Sequence, residues 1–358
     1  MKKTKQEPVE PAIDPHIPIV DAHHHLWDRE GYRYLLPELL QDIEGGHNVV
    51  GTVYVEGSGA LFSPPSLSGV MYRENVGELG PVGEIEFANG IGAMAASGRY
   101  GPCKACAGIV GFAELLMGSA IRPVLEAHKQ MSRFRGVRYH VGWHPDPTIK
   151  NPNLSTREGL LLDPKLREAL TEVEALDLSY ESAIIFTQLP EFIDLARSRP
   201  GLRINLNHQG TPTLSGIYAG KFDEVFPQWR KGMHELAELP NVTVKLGGLG
   251  KPKNGLLPEV LSSAALAENW RPFIETAIEL FGADRCMFET NFPVDGIFVP
   301  YTMVWNAFKR IVSSYSEDEK LDLFFGTANR TYRLGLTLPP AEPAGVQRGL
   351  SRGLASTS

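Results

Sequence analysis

The stretch Ile19-Val20-Asp21-Ala22-His23-His24-His25-Leu26-Trp27 runs an apolar segment straight into three consecutive imidazoles. Read as a strand, it puts alternate residues on opposite faces. His23 and His25 then share one face and His24 takes the other. Two neutral imidazoles side by side at a strand end make half of a site for a divalent metal. They suit equally well the positioning of a water for acid–base work. A plain surface histidine tract is the alternative, and the apolar residues leading into the cluster argue against it.

Outward from this first run, at 17–22, β-type apolar runs recur at 50–56, 107–113, 136–141, 182–188, 203–208, 241–247 and 285–290. Helical patterns separate several of them. Asp163-Pro164 supplies a cap and a first-turn proline, and Leu166, Leu170, Val173 and Leu176 follow at helical spacing. Leu189-Pro190 opens another such stretch, Phe226 to Leu239 and Trp270 to Phe281 carry similar stripes, and Ser316 with Glu319 forms a capping box. These stripes read as core. Eight strands alternating with helices predict a parallel sheet with right-handed crossovers, closed as a (β/α)8 TIM barrel of the α/β class. No Gly-x-Gly-x-x-Gly follows the first strand, which argues against a dinucleotide-binding sheet. The division expected is a flexible N-terminal tail over 1–16, one barrel domain over 17–335 and a flexible C-terminal tail over 336–358.

The 358 residues, 42% of them hydrophobic, suffice for one large core. A net charge of -7 and a pI near 5.8 argue against a nucleic-acid-binding surface. No apolar run approaches membrane-spanning length, so no membrane partner is expected. The charged N-terminus does not read as a secretory signal. Three cysteines do not make a disulfide framework, and a cytoplasmic protein is expected. Cys103 and Cys106 have a Cys-x-x-Cys spacing but precede an apolar run and lack a second pair, so packing is the better reading.

In barrels of this kind the chemistry sits at the carboxyl ends of the strands. Those ends are polar here: His23 and His25, Glu56, Arg138 with His140, Asn207 with His208, Lys245, and Glu289-Thr290-Asn291, while Ser179-Tyr180-Glu181 opens the fifth. A hydrolytic site needs a polarised water, a base and groups for the oxyanion. His23, His25 and His208 could hold a metal or polarise a carbonyl. Arg138 shares parity with His140, and an Arg inside the barrel suits a substrate carboxylate. Tyr180 is placed with it as substrate-binding. The loops at about 57–88, 141–162 and 292–303 would shape the pocket.

Together these residues resemble the amidohydrolase superfamily, and within it the lactonase-type metal-dependent hydrolases such as pyrone-dicarboxylate lactonase and sugar-acid lactonases. The motifs that carry the resemblance are Asp21 to Trp27, Gly136-Val137-Arg138, Asn207 to Pro212, Asn241 to Leu249 and Phe288 to Pro293, in order across roughly 18–335. The resemblance implies that His23 and His25 form the strand-one pair, with His208 as the strand-six histidine. It also implies an aspartate at position 291, which ligates metal or activates water; this chain has Asn291. A carboxamide cannot take a proton from water at neutral pH and is a poorer metal ligand. Glu289, Glu56, Asp295 and His140 are the substitutes on hand.

The sequence therefore leads to a hydrolase that opens a lactone or related ester of a small organic acid. His140, Glu289, Asn291 and Glu56 would be catalytic, Arg138 and Tyr180 substrate-binding, and His23, His25 and His208 metal-ligating. The cofactor expected is a divalent metal, zinc before manganese or iron, with a metal-free site left open. The partner expected is a small carboxylate-bearing molecule, with a homo-oligomer or pairing with a homologue as further options. Two other readings stay in view: a non-oxidative decarboxylase, or an oxygenase motivated by Glu56, His140, Glu181 and Glu289; and a non-catalytic subunit that supports an active homologue.

Overall fold

The computed structural model describes residues 10–29, 31–57, 73, 76–149 and 157–338. In chain order its strands are β1 (Pro18–His24), β2 (Trp27–Arg29), β3 (Tyr32–Tyr34), β4 (Asn48–Val55), β5 (Lys104–Phe112), β6 (Phe134–Arg138), β7 (Ser179–Ser182), β8 (Arg203–Leu206), β9 (Val242–Leu246) and β10 (Cys286–Phe288). The helices are α1 (Leu36–Ile43), α2 (Val82–Ala96), α3 (Arg122–Lys129), α4 (Pro164–Ala175), α5 (Leu189–Ser198), α6 (Phe222–Ala237), α7 (Ser263–Phe281), α8 (Tyr301–Ile311), α9 (Glu317–Leu321) and α10 (Thr327–Thr331). Eight parallel strands in the order β1-β4-β5-β6-β7-β8-β9-β10 make the barrel expected from the sequence, with β2 and β3 a separate hairpin over its mouth. Among the described residues no helix is long and apolar enough to cross a membrane.

The local signals hold at particular caps. The Asp163 side chain accepts from the Lys165 amide at 2.8 Å to open α4, and the Ser316/Glu319 box opens α9. The fifth strand departs from expectation. It spans Ser179–Ser182, not 182–188, because the barrel interior is polar there and the apolar run Ile184 to Phe186 packs in the outer layer instead. The expected loop at 57–88 is cut short by α2 from Val82, and residues 58–72 and 74–75 lie outside the described residues. In the 141–162 loop, 150–156 lie outside them too. The loop at 292–303 ends where α8 begins, at Tyr301.

The core has two compartments. The larger lies between sheet and helices and holds fully buried Trp229, Trp270 and Trp305. The smaller fills the barrel interior with Val20, Ala22, Val53, Val55, Val110 and Met287, closed from the C-terminal segment by Phe325, Ala328 and Tyr332. All three cysteines are free and buried, and burial pushes their thiols up, with Cys103 at about 12. Such thiols are packing groups.

At either end of the chain, residues 1–9 and 339–358 lie outside the described residues. Residues 10–14 are held against α7 and α8. Glu10 accepts from the Ser263 amide at 2.8 Å, Asn306 donates to the Pro11 carbonyl at 2.9 Å, and the buried Lys309 ammonium donates to the carbonyls of Ile13 and Asp14.

Candidate active site

The histidine cluster owes its direction to an irregularity in β1. The register against β4 shifts between Asp21 and His24. Ala22 lies in the inner core, whereas His24 sits on the outer face, 2.8 Å from Thr52 Oγ1. A bulge of this kind re-aims side chains. His23 and His25 both turn to the mouth, with their Nε2 atoms 3.2 Å apart.

The hydrogen bonds set the tautomers of His25 and His208. His25 Nδ1 is 2.8 Å from the Val55 carbonyl and must donate to it, so its Nε2 holds a lone pair. His23 has a donor beside each nitrogen, Arg138 Nη1 at 3.2 Å from Nε2 and Asn207 Nδ2 at 3.1 Å from Nδ1. Glu289 Oε2 stands 2.8 Å from this Nδ1. The other Glu289 oxygen receives His208 Nδ1 and the His208 amide. His208 Nε2 is then a buried lone pair with no partner among the described residues. Asn291 donates its amide to Asp295 at 2.7 Å, which turns its Oδ1 towards His25 Nε2, 3.2 Å away.

Burial is the main influence on the charges. It holds His23, His25 and His208 well below the usual imidazole range, and the cations Lys245, Arg138 and Lys251 add to the effect. All three are neutral at pH 7, as metal ligation requires. Burial also raises Glu289 to about 7.

The carboxylates the sequence singled out are nearly all spoken for. Arg138 Nε donates to Glu56 Oε1 at 2.6 Å, its Nη2 donates to the Glu56 carbonyl, and His140 Nε2 is 2.9 Å from the same Oε1. The Nδ1 of His140 has no partner among the described residues. Below this layer Lys245 pairs with Glu181 at 2.7 Å, and Asn205 and Tyr332 donate to the same carboxylate. Glu56 and Glu181 are thus each neutralised by a cation.

The structure thus brings together His23, His25, His208, Glu289, Asn291, Arg138, Glu56 and His140. Tyr180 is not among them. It alternates with Glu181 on β7 and is buried in the outer cluster, away from the mouth. Its side of the strand follows from Glu181 facing inward to meet Lys245. Sequence reasoning also passed over Lys251 and the part played by Asp21. Lys251 ends the loop Gly247-Gly248-Leu249-Gly250 after β9. Gly248 has φ +66°, and a Cβ there would stand 2.2 Å from His208 Nδ1, so only glycine lets this loop lie on the histidine. The density of glycine just past a strand end was the available signal.

With this geometry in view, comparison with known proteins is decisive. The Amidohydrolase family profile matches residues 20–334. The chain belongs to the amidohydrolase family. An uncharacterized protein of Sinorhizobium fredii, y4mH, is 31% identical over 325 residues, covering 89% of this chain and 99% of that one. An L-fucono-1,5-lactonase of Burkholderia ambifaria is 24% identical over 288 residues, covering 77% of this chain and 80% of its own. Among solved structures, an amidohydrolase of Burkholderia multivorans with bound zinc has a TM-score of 0.66 at 21% identity, covering 88% of this chain and 99% of that one. This family member is accordingly an enzyme of the hydrolase class.

The residues fit a divalent metal. His23, His208 and Glu289 carry ligand atoms all within 4.8 Å of one another. The tautomers add lone pairs at His25 Nε2 and His208 Nε2. The 3.2 Å between His23 Nε2 and His25 Nε2 is about the ligand–ligand separation of a tetrahedral zinc with Zn–N near 2.0–2.1 Å. Glu289, which holds His208 by its Nδ1, resembles the supporting carboxylate that such ligands use.

Proposed function

We propose that this amidohydrolase opens the lactone ring of a small organic acid by attack of water on the ring ester carbonyl, at the carboxyl end of the barrel. The observation that carries the reading is the cluster of His23, His25 and His208, with Glu289 against two of the three rings. The lactonase from Burkholderia ambifaria supports the choice of a ring ester.

His23, His25 and His208 would hold the metal, zinc by the preference of an imidazole set. When bound, the metal supplies Lewis acidity to the ester carbonyl. The remaining work falls to the chain. Glu289 keeps His208 in the tautomer that presents Nε2. Glu56 takes the Nε2 proton of His140 in a hydrogen bond and leaves Nδ1 free to accept a proton from the attacking water and to return it to the ring oxygen as the ester C–O bond breaks. Arg138 ties Glu56 to the histidine cluster, so base and electrophile keep their spacing. Asn291 is a carboxamide oxygen on the edge of the cluster, and the proton acceptor is therefore placed across the mouth, on His140.

The test is a panel of γ- and δ-lactones of sugar acids and dicarboxylic acids, with metal content measured on the same preparations. His140→Ala and His208→Ala should each lower kcat about 100-fold or more. His208→Ala should in addition lose bound metal, whereas His140→Ala should keep it. Full activity in both variants overturns the reading.

A further inference from the structure

Arg138 is poorly placed to receive a substrate. Each of its three nitrogens already faces a protein oxygen or nitrogen: Glu56 Oε1, the Glu56 carbonyl and His23 Nε2. Turning it towards a ligand would strip Glu56 of its cation.

Lys251 is in the opposite condition. It is 2% exposed. Among the described residues its ammonium makes no hydrogen bond or ion pair, although its charge is felt by His208, Asp295 and Glu289. Asp295 is occupied elsewhere, by the Asn291 amide and the Gly250 amide at 2.6 Å, and Glu289 accepts from His208 at one oxygen with the other turned to His23, 2.8 Å from its Nδ1. A lysine is almost never buried without a partner, because an unpaired ammonium in a poor dielectric is costly. Burial accordingly pulls its titration below the usual lysine range. The neighbouring Lys253, lowered to about 8, adds a second positive charge on the same loop.

We infer that Lys251 is the receptor for the substrate's carboxylate, standing beside His208 at the mouth of the barrel. The inference rests on the lactone reading for what is turned over, but the anion site itself does not depend on it. A carboxylate seated there completes the ammonium's hydrogen bonding. It also sets a ring ester carried by the same molecule next to the histidine cluster. The ligand class is therefore a small ring compound with one free carboxylate, and neutral lactones are poorer substrates.

Two measurements on the full-length chain separate the site from the reaction. The first is calorimetric titration with cyclopentanecarboxylate, which has the anion and the ring but no ester. Lys251→Met should weaken binding about tenfold or more, and Lys251→Arg should recover most of it. Absent binding by the wild type, or equal binding by wild type and Lys251→Met, overturns the inference whatever the enzyme hydrolyses. The second compares hydrolysis of a γ-lactone bearing a ring carboxylate with that of its carboxamide. Lys251→Met should raise KM for the first with kcat changed only a few-fold, and leave the second nearly unaltered. A fall in kcat for both that Lys251→Arg does not rescue would make Lys251 a proton carrier and overturn the receptor role. A wild type that binds the carboxylate but opens no lactone keeps the receptor and refutes the reaction.

Discussion

Glu289 orients His208 through its Nδ1 atom, and that choice propagates: the imidazole then has one lone pair to offer, on Nε2. Asn291 is the other residue on which the site turns. It sits at φ +57°, in the left-handed region that Asn tolerates better than most side chains, as does His208 at φ +54°. Its amide nitrogen donates to Asp295, so the carboxylate expected at 291 stands four residues further on and is tied back by a 2.7 Å hydrogen bond. Asn291→Asp would turn this donor into a second acceptor and set two buried carboxylates against each other. We expect it to lose about 1–3 kcal/mol of stability and most activity rather than to improve water activation. The double variant Asn291→Asp/Asp295→Asn restores a donor–acceptor pair of reversed polarity and should regain most of the stability. Urea unfolding of the three proteins measures this; a double variant no more stable than the single one would show that the pair is not what holds this turn.

At the scale of elements, strand and helix periodicity is strong enough to read, and the side chains' final partners are not. Seven of the eight apolar runs coincide well with barrel strands, because a strand buried on both faces must be apolar over most of its length. β7 is the exception for the same reason in reverse: its Ser179 and Glu181 fill a polar stretch of the interior, so its composition hides it. The pairing of His23 with His25 was legible from the two-residue period. The bulge that turns Ala22 and His23 to the same side was not, since it depends on register against β4. Lys251 escaped notice because a lone lysine in a loop normally points to water. His128 on α3 illustrates how an element-level contact sets a pH response. Its Nε2 donates to the Phe112 carbonyl at the end of β5 at 2.9 Å, and burial holds its titration down at about 4. An unfolded histidine takes a proton near 6.5. Between pH 6.5 and 4 the unfolded chain therefore binds a proton that the folded chain does not, and stability falls as pH falls through that window. At pH 5 the loss from this one group is about 2 kcal/mol relative to pH 7. His128→Gln should remove that part of the slope, so the gap between wild type and variant narrows on going from pH 7 to pH 5. Urea midpoints at the two pH values give the comparison, and a constant gap would mean that His128 titrates normally in the folded state.

For the molecule as a whole, the decisive question is what closes the barrel. Each neighbouring strand pair from β1–β4 round to β9–β10 has a ladder of three or more paired residues, whereas among the described residues the first and last strands meet only at a bridge between His24 and Phe292 and through two backbone bonds, Asn291 N to His23 O at 2.9 Å and His25 N to Phe292 O at 2.6 Å. Asp21 supplies the rest. Its buried carboxylate accepts from the Thr290 amide at 2.9 Å and from the Thr290 hydroxyl at 2.6 Å, with Tyr301 of α8 donating to it at 3.1 Å. A side chain from the first strand thus does for the last strand what a ladder does elsewhere, at the seam that carries His23, His25, Glu289 and Asn291. Asp21→Asn keeps the shape but faces an NH2 group towards donors, which leaves at least one buried donor unsatisfied. The expected cost is about 2–4 kcal/mol. The location of the damage discriminates more sharply than its size. Amide exchange read by mass spectrometry should lose protection in peptides spanning 18–25 and 286–293, while peptides from β6 to β8 keep theirs, because only the seam depends on Asp21. If protection fell evenly around the barrel, the carboxylate would be one more core contact and the seam would owe its closure to the backbone alone.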